Sequence, residues 1–427
     1  MGYIVATVLL MIGIFYHRKS KTWACPETLF CYEWALISFL ASLRLFGLYE
    51  ASWHTWIIIL IGSVSFVIGC SGGRMIKVKI NSTGRNIISE RVFWIFAAII
   101  ILYTIPDLVQ SIHYMRLGVS LGDIRNASVA GQDMVEGYTR REGALWEYVE
   151  LCTSVMNLLV TGHGILEYIK DSKKNFKYIA TVMIITLMQT FAYGGRFGLA
   201  YVIIELLVCM NLNKVTGKNL ISVMSVRLKR NIKRIVILLV AVIVIVTLIR
   251  GAEATDLLKK YYRYICGDII FFDLHLERMD GQSLMSCTFA GFYGFWAVVL
   301  PILNRLGINY PQLYMDTINE VMDGQTFLQI GDGLATNAFI TPFYHLYADF
   351  RMPGVILGMM FFGMIAGVLY KKVKLRKDGY SVVCYLIVTQ VIFKSLQMYP
   401  FASKIYVLAF VVIWILGKNI RITLRRK

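Results

Sequence analysis

Charge is scarce in this sequence. Only 16% of its 427 residues are charged and only seven are proline. A soluble domain carries about a quarter charged residues, so a globular fold with a water-facing polar shell is excluded. Few prolines leave room for long uninterrupted helices. The eight cysteines include no C-x-x-C pair, so no zinc or thioredoxin-like site is expected. Cys31, Cys70, Cys152, Cys209 and Cys384 lie in apolar blocks, where cysteine behaves as a small hydrophobe. Cys266 and Cys287 share one segment and are the two that could pair. There is no G-x-x-x-x-G-K-[ST] phosphate loop and no H-E-x-x-H, which removes the usual signals of an ATP-driven pump and a zinc protease. No metal and no cofactor are expected. Neither an internal repeat nor a low-complexity stretch is visible, and the missing repeat counts against a secondary transporter.

What is abundant is hydrophobicity, at 57% of residues and a mean hydropathy of +0.61. It falls in blocks near the ~20 residues that a helix needs to cross the hydrocarbon core. The pattern predicts an all-α polytopic integral membrane protein, a single membrane domain over 1–427. About eleven transmembrane helices are expected, near 1–16, 29–48, 53–70, 92–110, 146–169, 178–193, 198–212, 235–250, 353–370, 381–398 and 403–417. The first block has no basic residue ahead of it. Arg18, Lys19 and Lys21 follow it, the reverse of a secretory signal. It is read as a retained helix.

The net charge is +18, and 29 of the 44 Lys and Arg residues fall in six short connections. Those connections alternate along the chain, the signature of cytoplasmic loops. The charge therefore needs no nucleic-acid partner; the lipid bilayer is partner enough. An external N-terminus and a cytoplasmic C-terminus follow. Two long segments are then external, 111–145 and 251–352. Within the second, the apolar stretch 288–304 has no returning span, so a re-entrant or interfacial helix is expected there.

Three groups of residues could carry chemistry. Gly194-Gly195-Arg196 joins two spans at the external face. The glycines permit a close backbone approach, and a guanidinium beside a helix N-terminus suits a phosphate. The competing reading is a tight hairpin whose arginine reaches the headgroups. Arg250 ends a span on the same side, with Lys259, Lys260 and Arg263 downstream; external basic residues run against the charge bias. Arg44 and Lys394, near external span ends, could join the same anionic site. The third group is the polar run from Asn337 to Arg351, before the ninth span. His345 and Asp349 there are four apart, so on a helix they share a face and could act as a general base with its orienting carboxylate. Alternatively Asp349 pairs with Arg351 or caps the next helix.

These features resemble the Wzy-type family, the bacterial O-antigen or capsular oligosaccharide repeat-unit polymerases. Gly194-Gly195-Arg196 is similar to the family's small-small-Arg turn. Asn337, Thr341, Tyr347, Asp349 and Phe350 resemble its N-x-x-T…aromatic-x-D-F-G pattern, with Arg351 where glycine is expected. The resemblance implies a metal-independent glycosyltransferase of the bacterial cytoplasmic membrane. Its donor and acceptor are undecaprenyl-diphosphate-linked oligosaccharides, and a chain-length regulator is a candidate partner. Arg196, Arg250, Arg263 and Arg351 would hold the diphosphate, and His345 or Asp349 would accept the acceptor's proton. Arg125, Tyr193, Tyr262, Asn337, Tyr344 and Tyr347 are candidate glycan or lipid contacts. An O-antigen ligase-like enzyme and a lipid-linked glycan flippase are the alternatives. A flippase predicts charges in the middle of spans and interrupted helices.

Overall fold

The computed structural model describes residues 1–78, 86–130, 135–139, 141–216, 226–250, 257–281, 284–322, 328–336 and 340–417. In chain order the helices are α1 (Gly2–Ser20), α2 (Pro26–Ser42), α3 (Trp53–Met75), α4 (Glu90–Arg116) and α5 (Leu121–Ala130). There follow α6 (Ala144–Lys170), α7 (Phe176–Tyr193), α8 (Phe197–Thr216), α9 (Val226–Ile249) and α10 (Leu257–Asp280). The last are α11 (Tyr293–Arg305), α12 (Gln312–Thr317), α13 (Pro342–Arg376), α14 (Gly379–Lys394) and α15 (Lys404–Gly417). Two short strands, β1 (Leu328–Gly331) and β2 (Leu334–Thr336), form an antiparallel hairpin.

Each of the eleven expected apolar blocks falls on a helix. Among the described residues, six helical stretches are long and apolar enough to cross a membrane: α3, α4, α6, α7, Leu228–Ile249 of α9, and α13. Several present bare aliphatic faces. On α4, Ile95 is 56% and Leu102 is 68% exposed; on α9, Ile237 is 58% exposed. Faces of this kind, left bare, mark a surface that lipid covers. The chain is thus an α-helical membrane protein.

Two compact units divide the chain. The first comprises Met1–Ile80, Glu253–Leu375 and Val388–Val407. The second comprises Asn81–Ala252, Arg376–Ile387 and Leu408–Lys427.

In the first unit, Pro26 opens α2 at a position where its missing N–H costs nothing. The Ser52 hydroxyl caps α3 by accepting from Thr55 N at 3.3 Å. Phe30 stacks on Phe66 at 4.2 Å, and Phe362 closes on Phe66 at 5.0 Å. Beside these rings α3 meets α13 along glycines. A Cβ on Gly69 or Gly73 would fall on the carbonyl oxygen of Met360 or Met364. One on Gly363 or Gly367 would fall on that of Phe66 or Cys70. Both helices therefore carry glycine at spacing four on their facing sides, the small-residue seam that lets membrane helices approach closely.

α13 starts at Pro342, well before the 353 expected from hydropathy, and it is interrupted. Phe350 has φ −143° and Arg351 has φ 54°. Pro353 has no N–H to give the preceding turn. The carbonyls of Ala348 and Asp349 accept instead from Ser286 N (3.0 Å) and Cys287 N (3.4 Å). Likewise α2 stops at Ser42, short of the expected 48. The following turn pairs with the hairpin, Asp332 N donating to Gly47 O at 3.0 Å. The segment 251–352 is not one loop: its described part holds α10, α11, α12 and the hairpin. Cys266 and Cys287 are both free thiols, the first buried and the second exposed.

In the second unit, α4, α6 and α7 meet around Phe93, His163 and Tyr178; Phe93 lies 4.8 Å from Tyr178 and 5.6 Å from His163. Lys170 donates to Glu167 (2.7 Å) and Asn86 (2.9 Å), so this charged end of α6 is satisfied locally.

Candidate functional site

The second unit brings two arginine-bearing segments to α5, which carries a third arginine itself. Ser120 caps that helix, its hydroxyl accepting from Asp123 N at 3.1 Å. Gly194 ends α7 with φ 61°, a left-handed conformation that glycine adopts without strain. It also lies tight on α5: a Cβ there would sit 2.9 Å from Leu121 O and 3.0 Å from Arg125 Cβ. A Cβ on Gly195 would lie 3.6 Å from Arg125 Nη1. The adjacent Arg196 donates from Nη1 to the Thr247 hydroxyl at 2.7 Å, near the end of α9. One turn on, the Arg250 carbonyl abuts α5, 3.1 Å from where a Cβ of Gly122 would be. Arg125, Arg196 and Arg250 thus belong to one neighbourhood, and each is partly exposed. Gly194 is needed for this approach and Gly122 fits tightly, whereas a Cβ on Gly195 would make only an ordinary contact.

Next to it lies a cavity of about 390 Å³. Tyr193 donates to Asp107 Oδ2 at 2.8 Å, and Asp107 Oδ1 holds Arg141 Nη2 at 3.1 Å. Arg141 also donates to Tyr103 O at 3.1 Å and faces the Tyr103 and Trp146 rings at 4.7 and 5.1 Å. Tyr138 lines the same space; burial, then the Asp107 charge, pushes its phenol above the ordinary value.

The remaining sequence candidates lie in the first unit, and most are engaged with backbone. Asp349 is 2% exposed, and its oxygens accept from Ala290 N (3.0 Å) and Gly291 N (2.9 Å). His345 is 3% exposed, and among the described residues no hydrogen bond joins it to Asp349. Arg351 donates to the carbonyls of Met279 (2.7 Å) and Leu284 (3.3 Å). Arg263 donates to Ala335 O at 3.2 Å, in the hairpin. Tyr262 donates to Leu40 O (2.7 Å) and accepts from Leu45 N (3.0 Å); burial pushes its phenol up to about 12. Tyr344 donates to Val321 O at 3.1 Å. Asn337 lies outside the described residues.

Tyr347 leads to a group that sequence reasoning missed. It donates to Asp280 Oδ1 at 2.8 Å, and Asp280 Oδ2 lies 3.3 Å from His54 Nδ1. A half-exposed imidazole held by a carboxylate can accept a proton. Its members are far apart in the sequence, so no local motif marks them. Glu205, in the middle of α8, was also missed. It is 1% exposed, and neither carboxylate oxygen has a partner among the described residues. Gly69-Cys70-Ser71-Gly72-Gly73 spells G-x-S-x-G, but it lies inside α3. A nucleophile elbow needs a strand-to-helix turn, so Ser71 is no nucleophile of that kind; its hydroxyl meets Tyr16 at 3.1 Å.

No family model, no curated protein and no solved structure matches the chain. Fold and composition define its class, a helical membrane protein.

Proposed function

We propose that this chain is a glycan polymerase of the bacterial cytoplasmic membrane. It would transfer a growing oligosaccharide from undecaprenyl diphosphate to a sugar hydroxyl of a second lipid-linked unit. The observation that carries this reading is the meeting of the Arg125, Arg196 and Arg250 segments at α5. In the reaction, the bond from the anomeric carbon to the diphosphate oxygen breaks. A new one forms to the acceptor hydroxyl, which gives up its proton to a base. Negative charge grows on the leaving diphosphate. Arginines placed there stabilise that charge by charge-assisted hydrogen bonds. In this reading the chain crosses the bilayer eleven times, with its N-terminus and residues 251–352 outside and α11 interfacial or re-entrant.

One observation favours a second reading, a lipid-linked glycan flippase. Glu205 is a carboxyl buried within a short apolar helix, and a group of that kind commonly marks a transport or proton pathway. The polymerase is preferred because Arg196 and Arg250 stand at helix ends beside α5.

Arg196→Ala separates the two. Deleting the gene in its source cell and restoring it with the variant should leave single repeat units on the surface. Polymer should fall by about a hundredfold or more, as when a transition-state anion loses a donor, with membrane levels unchanged. Long polymer from the variant would overturn the reading. Repeat units trapped on the cytoplasmic face would indicate the flippase.

A further inference from the structure

The cavity between α4, α6 and α7 has no role in holding the diphosphate, and its chemistry points elsewhere. Its volume, about 390 Å³, lies at the small end of ligand sites. Tyr103, Tyr138 and Tyr193 supply aromatic walls with polar tips. Asp107 and Glu150 contribute two carboxylates against the one guanidinium of Arg141. That guanidinium is committed to Asp107, the Tyr103 carbonyl and two ring faces. The lining is therefore net acidic, with its cation spent, so it repels a phosphate. A metal ion is not favoured either, since no group of three or more acidic, His or Cys side chains gathers among the described residues.

A neutral ring bearing many hydroxyls fits such a lining. Its C–H faces lie against tyrosine rings, which are apolar on the face and polar at the tip. Its hydroxyls donate to carboxylates, which makes charge-assisted hydrogen bonds. Position gives a second argument. Ser128, on α5, lines the cavity one turn after Arg125, and Tyr193 lines it directly before Gly194-Gly195-Arg196. The same two segments thus serve the cavity and the arginines.

We propose that this cavity is a sugar-ring subsite, taking one residue of a glycan whose phosphate end lies at the arginines. The choice of a glycan attached to phosphate rests on the polymerase reading; the affinity for a neutral sugar does not. The cavity would select the sugar by its hydroxyl pattern, with Glu150 and Tyr138 as specificity-determining residues. Asp107 is a positioning residue, because it acts through Arg141 and Tyr193.

The test uses the full chain in lipid nanodiscs and phosphate-free probes: a panel of hexoses, 6-deoxyhexoses and N-acetylhexosamines, read by saturation-transfer NMR. At least one sugar should bind. Glu150→Gln and Tyr138→Phe should each raise its dissociation constant by about tenfold, the cost of one good hydrogen bond to a bound ligand. Tyr138→Phe also gives up the phenol's hydrogen bonds to Ser111 and Ser128, so unchanged melting temperatures are needed to establish that the variants fold. If no sugar binds, or if binding ignores both variants, the subsite is wrong. Displacement of the sugar by phosphoethanolamine would also overturn it, by assigning the cavity to a lipid headgroup. Binding of undecaprenyl diphosphate that depends on Arg196, with no sugar bound in the cavity, would leave the polymerase reading standing alone.

Discussion

Asp349 holds residues 290 and 291 to α13 with both of its oxygens. An asparagine can accept through one oxygen only. Asp349→Asn should therefore cost about 1–3 kcal/mol of stability, the cost of a buried donor left unpaired, read as a lower melting temperature in detergent. Lost polymer at unchanged stability would instead place Asp349 in the chemistry. Asp268, on α10 and 1% exposed, accepts from Ile269 N at 2.9 Å, and its second oxygen has no hydrogen-bond partner among the described residues. Burial pushes its carboxyl well above the usual carboxylate range. The folded state then binds a proton that the unfolded state releases, so stability falls as pH rises from the unfolded value toward the folded one. Asp268→Asn removes this dependence. Its melting temperature should exceed that of the parent more at pH 8 than at pH 5, and an equal difference at both would refute the assignment. The i, i+4 spacing of His345 and Asp349 was legible in the sequence. What Asp349 binds was not, because Ala290 and Gly291 are brought to it by the tertiary fold.

Helices were the most legible element, since each apolar block is a local signal that needs no partner. Their ends were less so. The early start of α13 depends on its broken turn at Phe350–Arg351, whose freed carbonyls are taken by Ser286 and Cys287. The glycine seam escaped notice because neither half means anything without the other. It gives a paired prediction. Gly363→Ala places a methyl on the Phe66 carbonyl and should destabilise by about 1–3 kcal/mol, the usual cost of overpacking. Gly72→Ala, one residue before Gly73, meets nothing within 4 Å. It should be neutral or stabilising by up to ~1 kcal/mol through helix propensity. Thermal unfolding of the two variants in one detergent checks both. Equal effects would mean that the helices do not touch there.

At the scale of the molecule, the orientation expected from the basic connections can be measured through Cys287. Its thiol and that of Cys152 are exposed, whereas Cys25, Cys31, Cys70, Cys209, Cys266 and Cys384 are buried. In a Cys152→Ser background, a membrane-impermeant maleimide should label Cys287 on intact spheroplasts, and adding Cys287→Ser should abolish that labelling. Labelling only after permeabilisation would invert the topology. Hydrophobic blocks made the membrane-protein class legible. The convergence on α5 was not, because it joins segments from three separate parts of the chain. The α3–α13 seam also bears on how the protein is made. About 290 residues separate Gly73 from Gly363, roughly 15 to 60 seconds of synthesis at ~5–20 residues per second. Throughout that interval α3 resides in the bilayer with its glycine stripe uncovered, open to any small-residue helix nearby. A chain truncated before α13 should therefore associate with other membrane proteins or be degraded, because α13 is the helix that covers the stripe.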